Sequence, residues 1–218
     1  MKKRIGVVLS GCGVLDGSEI HEAVFTLLAI DQGGATAICM APDLDVPEVN
    51  HLTGTESGAR RNVLVESARI ARGKIRNIAE VQAGELDAVI FPGGFGAAKN
   101  LCNFAAKGAA AEIHPEVARL LRDMAGVGKP IGAICIAPAL IAAALGKEYG
   151  PRLTIGTDQG TAAAINATGS AHVECPVQEF VIDAKHKIVS TPAYMLAENI
   201  SEAYEGIAKA VRAVLELA

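Results

Sequence analysis

Residues 129–145 read KPIGAICIAPALIAAAL. IGAIC is a short apolar run with the length of a buried strand, and IAPALIAAALG behind it is an Ala- and Leu-rich run with the composition of a helix. Cys135 sits at the seam. A strand that turns at once into a helix is half of a βαβ unit, so the same alternation should recur on both sides.

It does. RIGVVLS (4–10) is a strand-like run ending at Gly11. In GSEIHEAVFTLLAIDQGG (17–34), Ile20, Val24, Leu27, Leu28 and Ile30 recur at helical spacing and Gly33-Gly34 stops the pattern. ATAICMAP (35–42) is a second strand closed by proline. LDAVIFPGG (86–94) is a buried strand running into a Pro-Gly-Gly turn, and HPEVARLLRDMAGVGKP (114–130) is a helix. RLTIGT (152–157) reads as another strand, VQEFVIDAKHKIVSTP (177–192) as two strands joined by a turn, and SEAYEGIAKAVRAVLELA as a closing amphipathic helix. On that last helix Ile207, Val211, Val214 and Leu215 share a stripe that suits core packing.

The alternation predicts a flavodoxin-like α/β three-layer sandwich: a mostly parallel sheet with helices on both faces and a sharp elbow at Cys135. The chain of 218 residues suits one domain, 1–218. The turn-rich, polar region at about 43–85 reads as an elaboration rather than a second domain, and within it 63–72 fits either a strand or a short helix.

Composition narrows the function classes. Half the residues are hydrophobic and the net charge is −4, which gives no basic surface for nucleic acid or an anionic membrane. MKKRIGVVLSGC imitates a secretory leader, but Ile5 to Leu9 is shorter than the ~7–15 residues of a signal core. No apolar stretch approaches the ~20 residues of a membrane span. The five cysteines, Cys12, Cys39, Cys102, Cys135 and Cys175, are odd in number and widely spaced, with no CxxC. Neither a disulfide framework nor a zinc site is expected, and free thiols point to a reducing compartment, taken as the cytoplasm. The histidines are scattered, so no metal set is expected. Gly11, Gly13 and Gly17 do not have dinucleotide-loop spacing, and no cofactor is expected.

In an open α/β sheet, ligands bind beyond the C-terminal strand ends. Three such ends stand out: Ser10-Gly11, Phe91-Pro92-Gly93-Gly94, and Cys135. A cysteine at a sharp strand-to-helix turn is exposed at the top of the sheet beside the unpaired N–H groups of a helix start. Those groups favour the thiolate, and the N–H of Ile136 can face a developing oxyanion. The flexible Gly93-Gly94 pair lets a second N–H approach. The alternative is that Cys135 is a small buried hydrophobe, as is expected for the other four cysteines. Of the two acids opening the first helix, Glu19 fits a dipole-complementing role, whereas Glu22, set among Ile20, Ala23 and Val24, fits a buried protonatable carboxyl.

Six stretches carry a resemblance: SGCGVLDGSEIHEA (10–23), HLTGTE (51–56), FPGGFGAAKNL (91–101), ICIAPAL (134–140), LTIGT (153–157) and TPAYMLA (191–197). The chain resembles the DJ-1/PfpI superfamily and, within it, the bacterial enhancing lycopene biosynthesis branch, also described as isoprenoid biosynthesis proteins with an amidotransferase-like domain. The resemblance implies that Cys135 is a nucleophile held by Glu22, with Gly94 and Ile136 as backbone oxyanion donors. It implies a glutathione- and metal-independent glyoxalase-type lyase that turns glyoxal or methylglyoxal into a 2-hydroxy acid, with early glycation adducts as related substrates. It also implies a homodimer.

Two departures matter. Family proteases have histidine where this chain has Ile136, which argues against peptidase activity. Family glyoxalases often have a histidine in the region of Gly156-Thr157-Asp158. Asp158 could give acid/base help there, or it could simply cap a helix. His21 neighbours Glu22 in sequence, but adjacent helical residues do not share a face, so it is expected elsewhere. Two other readings stay open: an amidotransferase-like hydrolase using His114 or His172 as base, and a non-enzymatic redox-sensing or partner-binding protein that uses Cys135.

Overall fold

The computed structural model describes residues 2–218. Its strands are β1 (Arg4–Val8), β2 (Thr36–Ala41), β3 (Asp45–Asn50), β4 (Thr55–Asn62), β5 (Ile75–Asn77), β6 (Ala88–Phe91), β7 (Ile131–Ile134), β8 (Arg152–Leu153), β9 (Ala171–His172), β10 (Val181–Asp183) and β11 (Ile188–Thr191). Its α-helices are α1 (Ile20–Gln32), α2 (Val63–Ile70), α3 (Phe95–Lys99), α4 (Phe104–Lys107), α5 (Pro115–Gly126), α6 (Ala137–Tyr149), α7 (Gln159–Ala167) and α8 (Ile200–Leu217).

Seven strands form the main sheet in the order β10-β11-β7-β6-β1-β2-β5. All pairings are parallel except β10 with β11 at one edge. This is the flavodoxin-like α/β arrangement. The central strands are buried on both faces, so they read as unbroken apolar runs. Their alternate side chains feed two cores. Ile5, Val7 and Leu9 pack with Ile30 and Val211 on the α1/α8 side, while Val8, Val89 and Phe91 pack with Leu120, Leu121 and Leu140 on the α5/α6 side. Ile207, Val211, Val214 and Leu215 of α8 are buried in the first of these cores.

Three regions depart from expectation. Within 43–85, β3 and β4 form a separate antiparallel hairpin, but α2 and β5 continue the βαβ pattern and β5 joins the main sheet beside β2. Residues 63–70 are therefore a crossover helix. RLTIGT is the second departure. Only Arg152–Leu153 pair, with β9 and outside the main sheet. Leu153 and Ile155 are fully buried, yet side chains take the place of a strand partner: Thr154 N–H donates to Ser190 Oγ (2.9 Å) and Ile155 N–H to His172 Nε2 (3.4 Å). Third, α3, α4 and α7 occupy segments in which the sequence pattern predicts no helix. Among the described residues no helix is long and apolar enough to cross a membrane.

Candidate active site

The corner after β7 is as sharp as the sequence implies. Cys135 has φ 62°, in the left-handed region that L-residues with side chains seldom occupy. Ile136 caps α6, and Pro138 sits in its first turn, where a missing N–H costs no hydrogen bond. The corner is tied to the neighbouring strand end, because Cys135 N–H donates to Thr191 O at 3.0 Å.

Glu22 stands on the first turn of α1 and is wholly buried. Its carboxyl is held from two strand ends: Gly93 N–H donates to Oε2 (3.0 Å) and Tyr194 N–H to Oε1 (3.2 Å). Gly93 must be glycine, because a Cβ there would collide with Cys135 Cβ and lie 2.5 Å from Glu22 Oε2. Glu19 caps α1 by accepting the Glu22 N–H on Oε2 (2.7 Å), and its own N–H donates to Gly93 O (3.0 Å). The start of α1 and the Gly93-Gly94 turn are thus one hydrogen-bonded unit.

The Cys135 sulfur meets the Glu22 carboxyl and the backbone N–H groups of Gly94 and Ile136. Gly94 has φ 93°, which lets its peptide turn towards the thiol. Burial pushes the thiol well above its ordinary value, and the Glu22 charge adds to this; the two N–H groups pull the other way and lose. Burial also pushes Glu22 up to about 8 despite the N–H donors from Tyr194 and Gly93. Both shifts favour the protonated thiol and the protonated carboxyl. The helix-start effect expected for the elbow is present, but Cys135 is only 8% exposed and desolvation outweighs it.

Cys135, Gly94 and Ile136 line a cavity of about 390 Å³ with Val14, Phe95 and Met195 as apolar wall. Glu19, Tyr194 and Asp158 also border it. Asp158 is the N-cap of α7: its Oδ1 accepts the Thr161 N–H at 2.7 Å, and Thr161 holds the carboxyl below its ordinary value. It stays ionised at neutral pH, which suits a fixed charge better than a proton donor. No histidine lines the cavity among the described residues. His21 is half-exposed, with Nδ1 2.8 Å from the Tyr194 hydroxyl. His114 caps α5, and His172 supports Ile155. Cys39, Cys102 and Cys175 are buried away from this cavity, and Cys12 is half-buried. Among the described residues no group of three or more His, Cys, Asp or Glu side chains is placed to hold a metal ion.

Two participants were not visible in the sequence reading. Tyr194 supplies its N–H because Ala193, at φ 44°, turns the chain after β11. Glu19 forms cavity wall as well as cap. The signal for the first was the TPAYM stretch, a strand end closed by proline beside the Cys135 strand. The SGCGVLDG and HLTGTE stretches also touch: Val49 N–H donates to Asp16 Oδ2 (2.8 Å) and Leu15 N–H to His51 Nε2 (3.2 Å), so the β3–β4 hairpin braces the loop before α1.

A human protein, glutamine amidotransferase-like class 1 domain-containing protein 3, mitochondrial, is 47% identical over 227 residues, covering 98% of this chain and 83% of the human one. The chain belongs to that amidotransferase-like family. A crystal structure of the isoprenoid biosynthesis protein with amidotransferase-like domain from Ehrlichia chaffeensis superposes with a TM-score of 0.93 at 36% identity, covering 99% of both chains. Drosophila melanogaster DJ-1beta, at 19% identity, TM-score 0.59 and coverage of 100% of this chain and 96% of that one, shares the fold. The amidotransferase-like part of the resemblance is thus shown by the relatives, and the DJ-1 part as a shared fold. No family model matches the chain.

Proposed function

We propose that this protein is a cofactor-independent glyoxalase-type enzyme acting on small reactive carbonyls, with Cys135 as nucleophile and Glu22 as its proton partner. The observation that carries the reading is a thiol on a strained corner that opens on one cavity with two convergent N–H donors and touches a buried carboxyl behind it.

The chemistry follows from those groups. The Cys135 sulfur bonds to the aldehyde carbon of a 2-oxoaldehyde, and the thiol proton ends on the former carbonyl oxygen, which the Gly94 and Ile136 N–H groups face as charge develops. Glu22, once ionised, takes the proton from the hemithioacetal carbon. Its return to the adjacent carbon, with the hydroxyl proton passing from the first oxygen to the second, leaves a 2-hydroxyacyl thioester. Water then cleaves the thioester, releasing the 2-hydroxy acid and regenerating the thiol. A carboxyl titrating near 8 is close enough to neutral pH to move a proton both ways.

An amidotransferase-like hydrolase is disfavoured by the lack of a histidine on the cavity. A redox sensor would use the same thiol, and oxidation of Cys135 without dicarbonyl turnover would favour it over this reading. The isoprenoid description of the Ehrlichia chaffeensis protein suggests a pathway association here too, without naming a chemical step. The expected cytoplasmic site and the mitochondrial site in the human protein's name are both consistent with five unpaired thiols. A homodimer is the assembly we favour, because α1 leaves Ile20, Val24 and Leu28 exposed on one stripe. A monomeric mass in light scattering would count against it.

The decisive assay follows loss of glyoxal and methylglyoxal, with the hydroxy acid identified, in wild type, Cys135→Ala and Glu22→Gln without glutathione or metal. Turnover by wild type and failure of both variants supports the reading. An inert wild type, or an active Cys135→Ala, overturns it.

A further inference from the structure

The cavity over Cys135 is not electrically neutral. Two carboxyl side chains border it: Glu19, only 13% exposed and set in the wall, and Asp158, exposed at the mouth. No lysine or arginine lines it. Lys99 lies nearby, but its Nζ stands over the Phe95 ring at 5.2 Å and it is not part of the wall. Both carboxyls have defined anchors. Glu19 is fixed as the cap of α1, with Oε1 4.0 Å from His21 Nδ1, and Asp158 is fixed as the cap of α7. Each anchor uses one oxygen, Oε2 of Glu19 and Oδ1 of Asp158. The rest of the wall includes Val14, Phe95, Ile136 and Met195, a low-dielectric surround in which fixed charge of one sign is focused.

We propose that Glu19 and Asp158 make this cavity charge-selective: it admits neutral and cationic carbonyl electrophiles, amine-bearing aldehydes and ketones among them, and repels anionic ones such as oxo acids and phosphorylated aldehydes. The inference rests on Cys135 being the reactive centre of the cavity and deepens that reading by naming the substrate class. It has a corollary for turnover. The substrate enters uncharged or positive and the product is a carboxylate, so the field that admits the first expels the second. Asp158, considered above as an acid or base, then serves as a specificity-determining charge.

The test does not depend on dicarbonyl turnover. Wild-type protein at neutral pH is treated with three methanethiosulfonates of similar size, bearing an ammonium, no charge, or a sulfonate. Each forms a mixed disulfide with a cysteine and releases methanesulfinate. Mass spectrometry follows labelling at Cys135 and at half-buried Cys12, which lies off the cavity among Glu66, Arg69, Asp16 and Arg61 and serves as internal reference. The expected ammonium-to-sulfonate rate ratio at Cys135 exceeds that at Cys12 by about tenfold or more. It should shrink in Asp158→Asn, where asparagine keeps the cap and loses the charge, with each rate taken relative to that of the neutral reagent on the same variant. Added salt should compress it.

Equal ratios at the two cysteines, or an unchanged ratio in Asp158→Asn, would overturn the inference, as would failure of all three reagents to reach Cys135 while Cys12 is labelled. If dicarbonyl turnover is absent but the ratio is found, the proposed reaction falls and charge selection stands. If turnover occurs without the ratio, only charge selection falls.

Discussion

The ends of β7 and β11 lie side by side, joined by the Cys135 N–H to Thr191 O bond, and they solve the same problem differently. β7 is followed at once, and β11 after Pro192, by a non-glycine residue forced to positive φ, 62° at Cys135 and 44° at Ala193. Such conformations cost about 1–2 kcal/mol apiece and persist where the surroundings impose them. At the first corner the strain aims a side chain, the thiol, at the cavity. At the second it aims a backbone N–H, that of Tyr194, at Glu22 Oε1. The same device thus delivers a side-chain thiol in one case and a fixed backbone donor in the other, and both converge on one buried carboxyl. The strand end after β6 completes the set with the Gly93 N–H.

The harshest way to break this convergence is Gly93→Ala. The new methyl would meet Cys135 Cβ, Glu22 Oε2 and Ile134 O together, so one corner must move. We expect a loss of about 1–3 kcal/mol in denaturant unfolding, together with loss of dicarbonyl turnover. Unchanged stability would mean that the contact relaxes freely.

Glu22→Gln tests the carboxyl at which the corners meet. We expect turnover to fall by about 10²–10⁴-fold. Stability gives an independent reading. Glu22 titrates near 8 when folded, above the ordinary carboxyl value, so between those values the folded chain binds more protons than the unfolded one. Its contribution is fully present below the unfolded value and is lost as pH rises through about 8. Wild type should therefore lose stability relative to Glu22→Gln across that window, with a slope of up to about 1.4 kcal/mol per pH unit. Parallel stability curves would show that Glu22 is not held protonated.

The smallest effects separate strain from function. Cys135→Gly should be more stable than Cys135→Ala by up to about 1–2 kcal/mol, because glycine occupies the left-handed region without penalty. Ala193→Gly gains the same relief but loses a buried methyl, so it should be close to neutral. If Cys135→Gly were the less stable of its pair, the corner would not be strained.

These contrasts also mark what the sequence makes legible. The strands β1, β2, β6 and β7 announce themselves because burial on both faces requires unbroken apolar runs. The pair Cys135–Glu22 is legible because an elbow thiol and a first-turn carboxyl follow from that strand order together with the family resemblance. Leu153 and Ile155 mislead: an apolar run can be buried with side chains of Ser190 and His172 as its hydrogen-bond partners and never join the main sheet. The β3–β4 hairpin is hidden because exposed strands such as TESGARRN need no apolar alternation. The Tyr194 N–H is hidden because a backbone donor leaves no mark in side-chain chemistry. The upward shift of the Cys135 thiol is hidden because depth of burial, its main cause, is a property of the assembled fold.

Cys135 and Glu22 touch and are both shifted upward by burial, so they should titrate as one buried unit. The most direct test is the rate of Cys135 alkylation by neutral iodoacetamide as a function of pH, in wild type and in Glu22→Gln. We expect the wild-type midpoint to lie above that of an ordinary thiol, and to move down in the variant, because the carboxylate that opposes the thiolate is gone. A wild-type thiol already reactive well below neutral pH, or a midpoint that Glu22→Gln leaves in place, would contradict it.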